Sequence, residues 1–144
     1  MLLLSIGSVV TLQAASDYEL APIKYSDSKD NNTITRIQEG LDGGTLNLPG
    51  NTPRELLQSL LAELNIPVSS QVLVFSKTSL QHRIITPTNP RAIYFNDDFY
   101  VGYVPGGMIE VVACDDAKGM MFYSFDVNAV PKKRRFMRDQ ECMT

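Results

Sequence analysis

The amino-acid sequence predicts an α+β domain in which a mostly antiparallel meander sheet is covered on one face by a short amphipathic helix. One observation is a series of apolar runs between Gln71 and Asp126, separated by turn residues and recurring about every ten residues, as consecutive strands do. The other is a leucine-rich segment before them, whose apolar residues recur at helical spacing. The predicted strands span residues 72–75, 92–95, 99–104, 109–114 and 120–125.

The leucine-rich segment predicts a helix over residues 53–65, with both of its ends specified. Thr52 is an N-cap residue, Pro53 fits the first helical position, and Glu55 completes a capping box. Pro67 prevents the helix from continuing. The apolar stripe that this helix lays on the sheet consists of Leu56, Leu57, Leu60, Leu61 and Leu64.

A shorter helix is predicted from Thr33, because apolar residues recur at helical spacing until glycines at positions 40, 43 and 44 end the pattern. The alternating residues 45–48 predict an edge strand. In the sheet, apolar residues fall on both faces of the strands, as at Met120, Met121 and Phe122. Since the helix covers only one face, we expect another element, within the chain or beyond Thr144, to cover part of the second.

Composition limits the class of protein. The chain has 144 residues, enough for one domain that buries a core without disulfides. Its formal net charge of −3 gives no electrostatic basis for nucleic-acid binding, so no nucleic-acid partner is expected. The two cysteines, Cys114 and Cys142, form no C-x-x-C pair. Neither a phosphate-binding glycine loop nor the G-x-S-x-G hydrolase motif occurs.

Residues 1–16 have the character of a secretory signal peptide. They form an uncharged apolar run that ends in the small residues Ala14, Ala15 and Ser16. The run is shorter than the roughly 20 residues that span a membrane. We therefore predict a periplasmic or otherwise exported protein that is not integral to the membrane after cleavage, with residues 17–144 as a single domain. The alternative is a buried N-terminal strand or helix, because no basic residue precedes the run.

Few side chains indicate catalysis. His82 is the only histidine and lies in a polar segment, which favours a surface loop over a catalytic role. The pairs Asp97–Asp98 and Asp115–Asp116 could supply the carboxylates of acid–base chemistry, but their positions between strands favour turn formation. The sequence leaves open whether the protein is an enzyme.

Basic residues are concentrated near the C-terminal end, at positions 132–135 and at Arg138. One interpretation is a solvated loop. The other is a patch that binds the carboxylates of a cofactor or of an acidic redox partner, since a guanidinium group binds a carboxylate through two parallel hydrogen bonds.

Three blocks of the chain carry a resemblance to a known family: residues 68–79, residues 90–98 with the following Tyr100-Val101-Gly102, and Phe122-Tyr123. They resemble exported bacterial cytochrome-c-like proteins. In that family the blocks precede a basic and aromatic segment, matched by residues 135–138, and then the haem-attachment motif C-x-x-C-H. The resemblance covers residues 33–144.

The resemblance implies that Cys142 is the first haem-linking cysteine and that Arg135 and Arg138 contact the haem propionates. The second cysteine and the histidine of the motif are missing from the sequence, which ends at Thr144. The implied haem c therefore belongs to a longer gene product with a C-terminal haem-binding region, and none is expected in this chain. The resemblance also implies an unidentified redox partner protein.

Two functions follow from these observations. The first is the N-terminal scaffold region of an exported c-type cytochrome-like protein that takes part in electron transfer or redox chemistry. The alternative is a haem-independent periplasmic binding or interaction module, which recognises a protein or small ligand with an exposed face of the sheet. A hydrolytic enzyme is the weaker third hypothesis, because no catalytic constellation supports it.

Overall fold

The computed structural model describes residues 17–26, 29–77 and 79–139, so the predicted signal peptide lies outside it. The helices are α1 (Thr33–Gly43) and α2 (Pro53–Glu63), and the strands are β1 (Val72–Val74), β2 (Arg91–Phe95), β3 (Phe99–Tyr103), β4 (Ile109–Asp115), β5 (Gly119–Phe125) and β6 (Phe136–Asp139). Each strand pairs antiparallel with the next along the chain. The predicted α+β meander is confirmed.

Both helices begin and end close to the residues that the sequence indicates. Asn32 caps the start of α1, and its C-cap Gly44 has a φ of 69°, which glycine adopts without strain. In α2, the Thr52 side chain accepts a hydrogen bond from the Glu55 N–H, and the Glu55 side chain binds the Thr52 N–H in return. The predicted capping box is therefore present.

Residues 45–48 form no strand, so the edge strand predicted there is wrong. The backbone N–H groups of Thr45 and Leu46 both donate to the carbonyl oxygen of Gly40, each at 3.0 Å. These donors complete the end of α1 and are not available to a neighbouring strand. Leu48 is nevertheless buried and belongs to the hydrophobic core.

The hydrophobic core lies between one face of the sheet and the two helices, so α1 shares the covering role that was predicted for one helix. Strands β3, β4 and β5 contribute Val101, Val111 and Met121, all almost fully buried. The buried helix residues are Ile34, Ile37, Leu56, Leu57, Leu60 and Leu61. None of the helices in the described part of the chain is long and apolar enough to cross a membrane.

The face of the sheet opposite to the helices, termed the second face, is partly covered by residues 79–90, termed the covering segment. The Ser79 hydroxyl donates to Glu110 Oε1 at 2.6 Å. The Gln81 side chain accepts from the Met108 N–H and donates to the Met108 carbonyl oxygen. The cover expected for this face is thus part of the chain itself, inserted between β1 and β2, and it leaves side chains such as Tyr100 exposed.

Candidate functional site

The structure describes two of the three residues that the resemblance assigns to haem binding; Cys142 lies outside the described residues. Arg135 is exposed, and its Nη2 lies 3.4 Å from Asp42 Oδ1. Arg138 is part of β6, and its Nη1 lies 3.2 Å from Asp30 Oδ1. The two arginines bind carboxylates on different segments, so the structure does not bring them together around one site.

Arg138 belongs to a polar cluster, termed the Asp30 cluster, that also contains Asp30, Lys118 and Tyr123. Lys118 Nζ lies 2.5 Å from Asp30 Oδ1, and the Tyr123 hydroxyl donates to Asp30 Oδ2 at 2.9 Å. The Arg138 guanidinium also lies over the ring of Tyr25, 4.3 Å from its centroid. Burial raises the pKa of Tyr123 far above its ordinary value, and the Asp30 carboxylate adds to this shift, so the hydroxyl stays protonated as a donor. These contacts hold the N-terminal segment against β5 and β6.

The described residues contain no set of side chains that could bind a haem iron or another metal ion. Cys114 is exposed on β4 and His82 is exposed in the covering segment, as expected for a loop histidine. In the described ranges, no three His, Cys, Asp or Glu side chains come together as metal ligands. A c-type haem needs two cysteines and a neighbouring histidine. Of that set, the sequence has only Cys142 at the position that the resemblance assigns, and the described residues do not fit haem c.

The candidate site is a cavity of about 240 Å³ on the second face, termed the sheet-face cavity. Arg91 and Glu110 form an ion pair within it, with 2.5 Å between Nη2 and Oε2 and with 16% and 13% of their side chains exposed. The covering segment contributes Ser79, whose hydroxyl binds the other oxygen of Glu110. The apolar wall consists of Leu80, Ile93, Tyr100, Val112 and Phe122.

Gly102 makes room for the Arg91 guanidinium. The sheet register places Gly102 between Ile93 of β2 and Glu110 of β4. A Cβ atom on Gly102 would lie 2.6 Å from Arg91 Nη2 and 2.7 Å from Nε, so only glycine allows the guanidinium to lie this close to the sheet. Arg91 Nε is buried and has no hydrogen-bond partner among the described residues.

An aromatic pair extends the apolar wall toward the C-terminal end of β2. Tyr100, which lines the cavity, stacks with Phe95, and the ring centroids are 6.1 Å apart. Both rings are more than a third exposed. The cavity therefore combines a polar pair at its base with aromatic surface at its rim, a combination typical of small-ligand sites.

Arg91, Gly102 and Glu110 were not predicted as site residues, although Arg91 and Gly102 lie in the blocks that carry the family resemblance. A usable signal was present, because Glu110 is a charged residue inside a run of apolar strand residues, Arg91 directly precedes a second run, and Gly102 interrupts a third. The missing information was the register, which decides that these three positions are neighbours on one face.

Comparison of the chain with protein-family models, with curated proteins and with solved structures finds no match. The fold and the site therefore define a class only in structural terms, an α+β domain with a ligand-sized cavity on its sheet. The resemblance to cytochrome-c-like proteins stays a prediction.

Proposed function

We propose that the chain is a binding module that takes a small, uncharged, ring-containing molecule in the sheet-face cavity. The observation that carries this proposal is the buried Nε–H of Arg91, which faces no acceptor within the described residues and lies beside an apolar wall. A buried donor left without an acceptor costs about 1–3 kcal/mol. Because Nε is buried, the Arg91 side chain must turn toward the cavity before a ligand acceptor binds it. That hydrogen bond then recovers the cost, while the ring of the ligand gains contact with the wall.

Charge and size define the class of ligand. Arg91 is already paired with Glu110, and Asp139 adds a second carboxylate to the lining, so the cavity does not favour an anion. Its volume of about 240 Å³ lies below the roughly 300–1,000 Å³ of sites for drug-sized molecules. A single-ring molecule with a carbonyl or amide oxygen fits both limits.

Three probes that share one ring and differ in charge test this function: benzamide, benzoate and benzylamine. Each is titrated into isotope-labelled protein while the backbone amide signals of Gly102, Val112 and Phe122 are followed by NMR. Benzamide should shift these signals at the lowest concentration. Tighter binding of benzoate would contradict the uncharged class, and the absence of any shift with all three probes would contradict the site.

A matched pair of variants isolates the role of Nε. Arg91→Lys keeps a positive charge beside Glu110 but removes Nε–H, and the loss of one hydrogen bond of about 1 kcal/mol should weaken benzamide binding about fivefold. Arg83→Lys is the control, because Arg83 is exposed in the covering segment and does not line the cavity. Equal affinities of the two variants would show that Nε does not hold the ligand.

The scaffold region of an exported c-type cytochrome-like protein is the second candidate function. The observation that favours it is the position of β6, whose last residue, Asp139, lines the sheet-face cavity. Cys142 follows Asp139 by three residues in the sequence, so the haem of a longer gene product would be attached next to β6 in sequence. The codons after Thr144 test this candidate, since it requires Cys and His there.

A further inference from the structure

We infer that β1 is a dimerisation edge, at which a second copy of this chain adds its own β1 antiparallel to form one continuous sheet across a two-fold axis. β1 pairs with β2 on one side, and no strand of the described residues pairs with its other side. This inference does not depend on the ligand proposed for the sheet-face cavity.

The β1 edge lacks the features that normally prevent strand addition. Edge strands of monomeric proteins are usually protected by charged residues, prolines or bulges. Residues 71–76 contain no charged residue and no proline. Val72, Leu73 and Phe75 are 45%, 54% and 55% exposed, which is unusual for three large apolar side chains so close together.

A groove beside β1 is open to the side chains that the second copy would bring. Leu73 lies on the same face of the sheet as Ala92, the face that packs on the helices, yet α2 does not reach far enough to bury it. The resulting groove between α2 and the β1–β2 pair has a volume of about 540 Å³ and is lined by Leu57, Leu61 and Leu73 among others.

Two-fold symmetry fixes how this groove is filled. Antiparallel pairing centred on Leu73 places Leu73 opposite Leu73 of the second copy, and it places Gln71 opposite Phe75 of the second copy. Residues 71, 73 and 75 share one face of an extended strand, so the second copy's Leu73 and Phe75 enter on the groove side. Gln71 lines the groove, so the ring of the second copy's Phe75 would lie in the groove beside Gln71. The second copy therefore contributes apolar side chains that one chain alone lacks.

The distribution of charged residues on the two edge strands favours a closed dimer over an open-ended fibre. The β1 run is uncharged, so pairing it with itself brings no like charges opposite each other. The other edge strand, β6, contains Arg138 and Asp139, which discourage the head-to-tail pairing of β1 with β6 that would produce fibres. A closed dimer is therefore the expected assembly.

The oligomeric state tests the inference. Sedimentation equilibrium of the wild type should show a concentration-dependent monomer–dimer equilibrium. Leu73→Lys should be monomeric with an unchanged circular dichroism spectrum, since this exposed side chain contributes little to the monomer's core. Val130→Lys is the control, because Val130 is similarly exposed but lies away from β1, and this variant should dimerise normally. A monomeric wild type, or a Leu73→Lys dimer, would overturn the inference.

Cross-linking tests the register. In a background with Cys114→Ser and Cys142→Ser, Leu73→Cys should form a disulfide-linked dimer under mild oxidation, since directly opposed Cβ atoms are about 4.5–5.5 Å apart. Phe75→Cys should not link to itself, because the two positions 75 lie at opposite ends of the paired segment. Efficient cross-linking at position 75 instead of 73, or a ladder of larger species, would contradict the two-fold arrangement.

Discussion

Arg135 and Arg138 illustrate how two neighbouring residues of the same type differ once the chain is folded. Arg135 faces solvent, and its contact with Asp42 is an exposed ion pair, which contributes little to stability. Arg138 has only 16% of its side chain exposed and binds Asp30, which in turn binds Lys118 and Tyr123. The removal of Arg138 leaves part of a buried network without its donor.

Replacement of the two arginines is therefore expected to lower the free energy of unfolding by different amounts. Arg138→Gln should lower the free energy of unfolding by about 1–3 kcal/mol, since it removes a buried charged donor. Arg135→Gln should change it by less than about 1 kcal/mol. Urea denaturation of both variants measures the difference. Equal costs would contradict the assignment of Arg138 to a structural cluster and would favour a shared role for the two side chains.

At the scale of elements, the sequence predicted the parts whose signals are local. The α2 helix has both ends specified by Thr52 and Pro67, and the strands from β2 to β5 are apolar runs bounded by turn residues. The β6 strand was missed, because its short sequence mixes aromatic and charged residues and is defined by pairing with β5. The covering segment was missed for a related reason, since its contacts are made by polar side chains such as Gln81.

The turn between β4 and β5 depends on a buried carboxylate. Burial acts to raise the pKa of Asp115, but hydrogen bonds from the backbone N–H groups of Ala117, Asn31 and Lys118, together with the charge of Lys118, outweigh it. The net effect is a pKa below the ordinary value of 3.8. The ionised carboxylate therefore joins the turn to the segment that precedes α1.

Acid should weaken this turn in a defined pH range. Because the folded-state pKa of Asp115 is depressed, its contribution to stability is complete above pH 3.8 and is lost as the pH falls through the folded-state pKa. At pH values below 3.8, the urea concentration at which half of the wild type is unfolded should decrease. Asp115→Asn should show a smaller decrease over the same pH range. Asp116→Asn, at an exposed neighbour, is the control and should follow the wild type. Identical pH profiles for all three proteins would contradict this role of Asp115.

At the scale of the whole molecule, the full gene product decides between the two candidate functions. Expressed in a bacterium with a cytochrome maturation system, it should begin near Ser16 or Asp17 after export. If Cys and His follow Thr144, it should show a c-type spectrum that survives acid–acetone extraction, whereas the chain that ends at Thr144 should not. N-terminal sequencing and absorption spectra measure both outcomes. An intact Met1 in the cytosol would contradict export, and a colourless extended product would contradict the cytochrome function.

The Asp30 cluster also has a consequence for the order of folding events. Every strand pairs with its neighbour along the chain, so the sheet can form hairpin by hairpin with little loss of loop entropy. Tyr25 and Arg138, in contrast, are 113 residues apart, so we expect their contact to form later than the hairpins. Contacts made after the transition state slow unfolding without speeding folding. We therefore expect the junction between the two ends of the domain to act mainly on the unfolding rate, and the hairpins mainly on the folding rate.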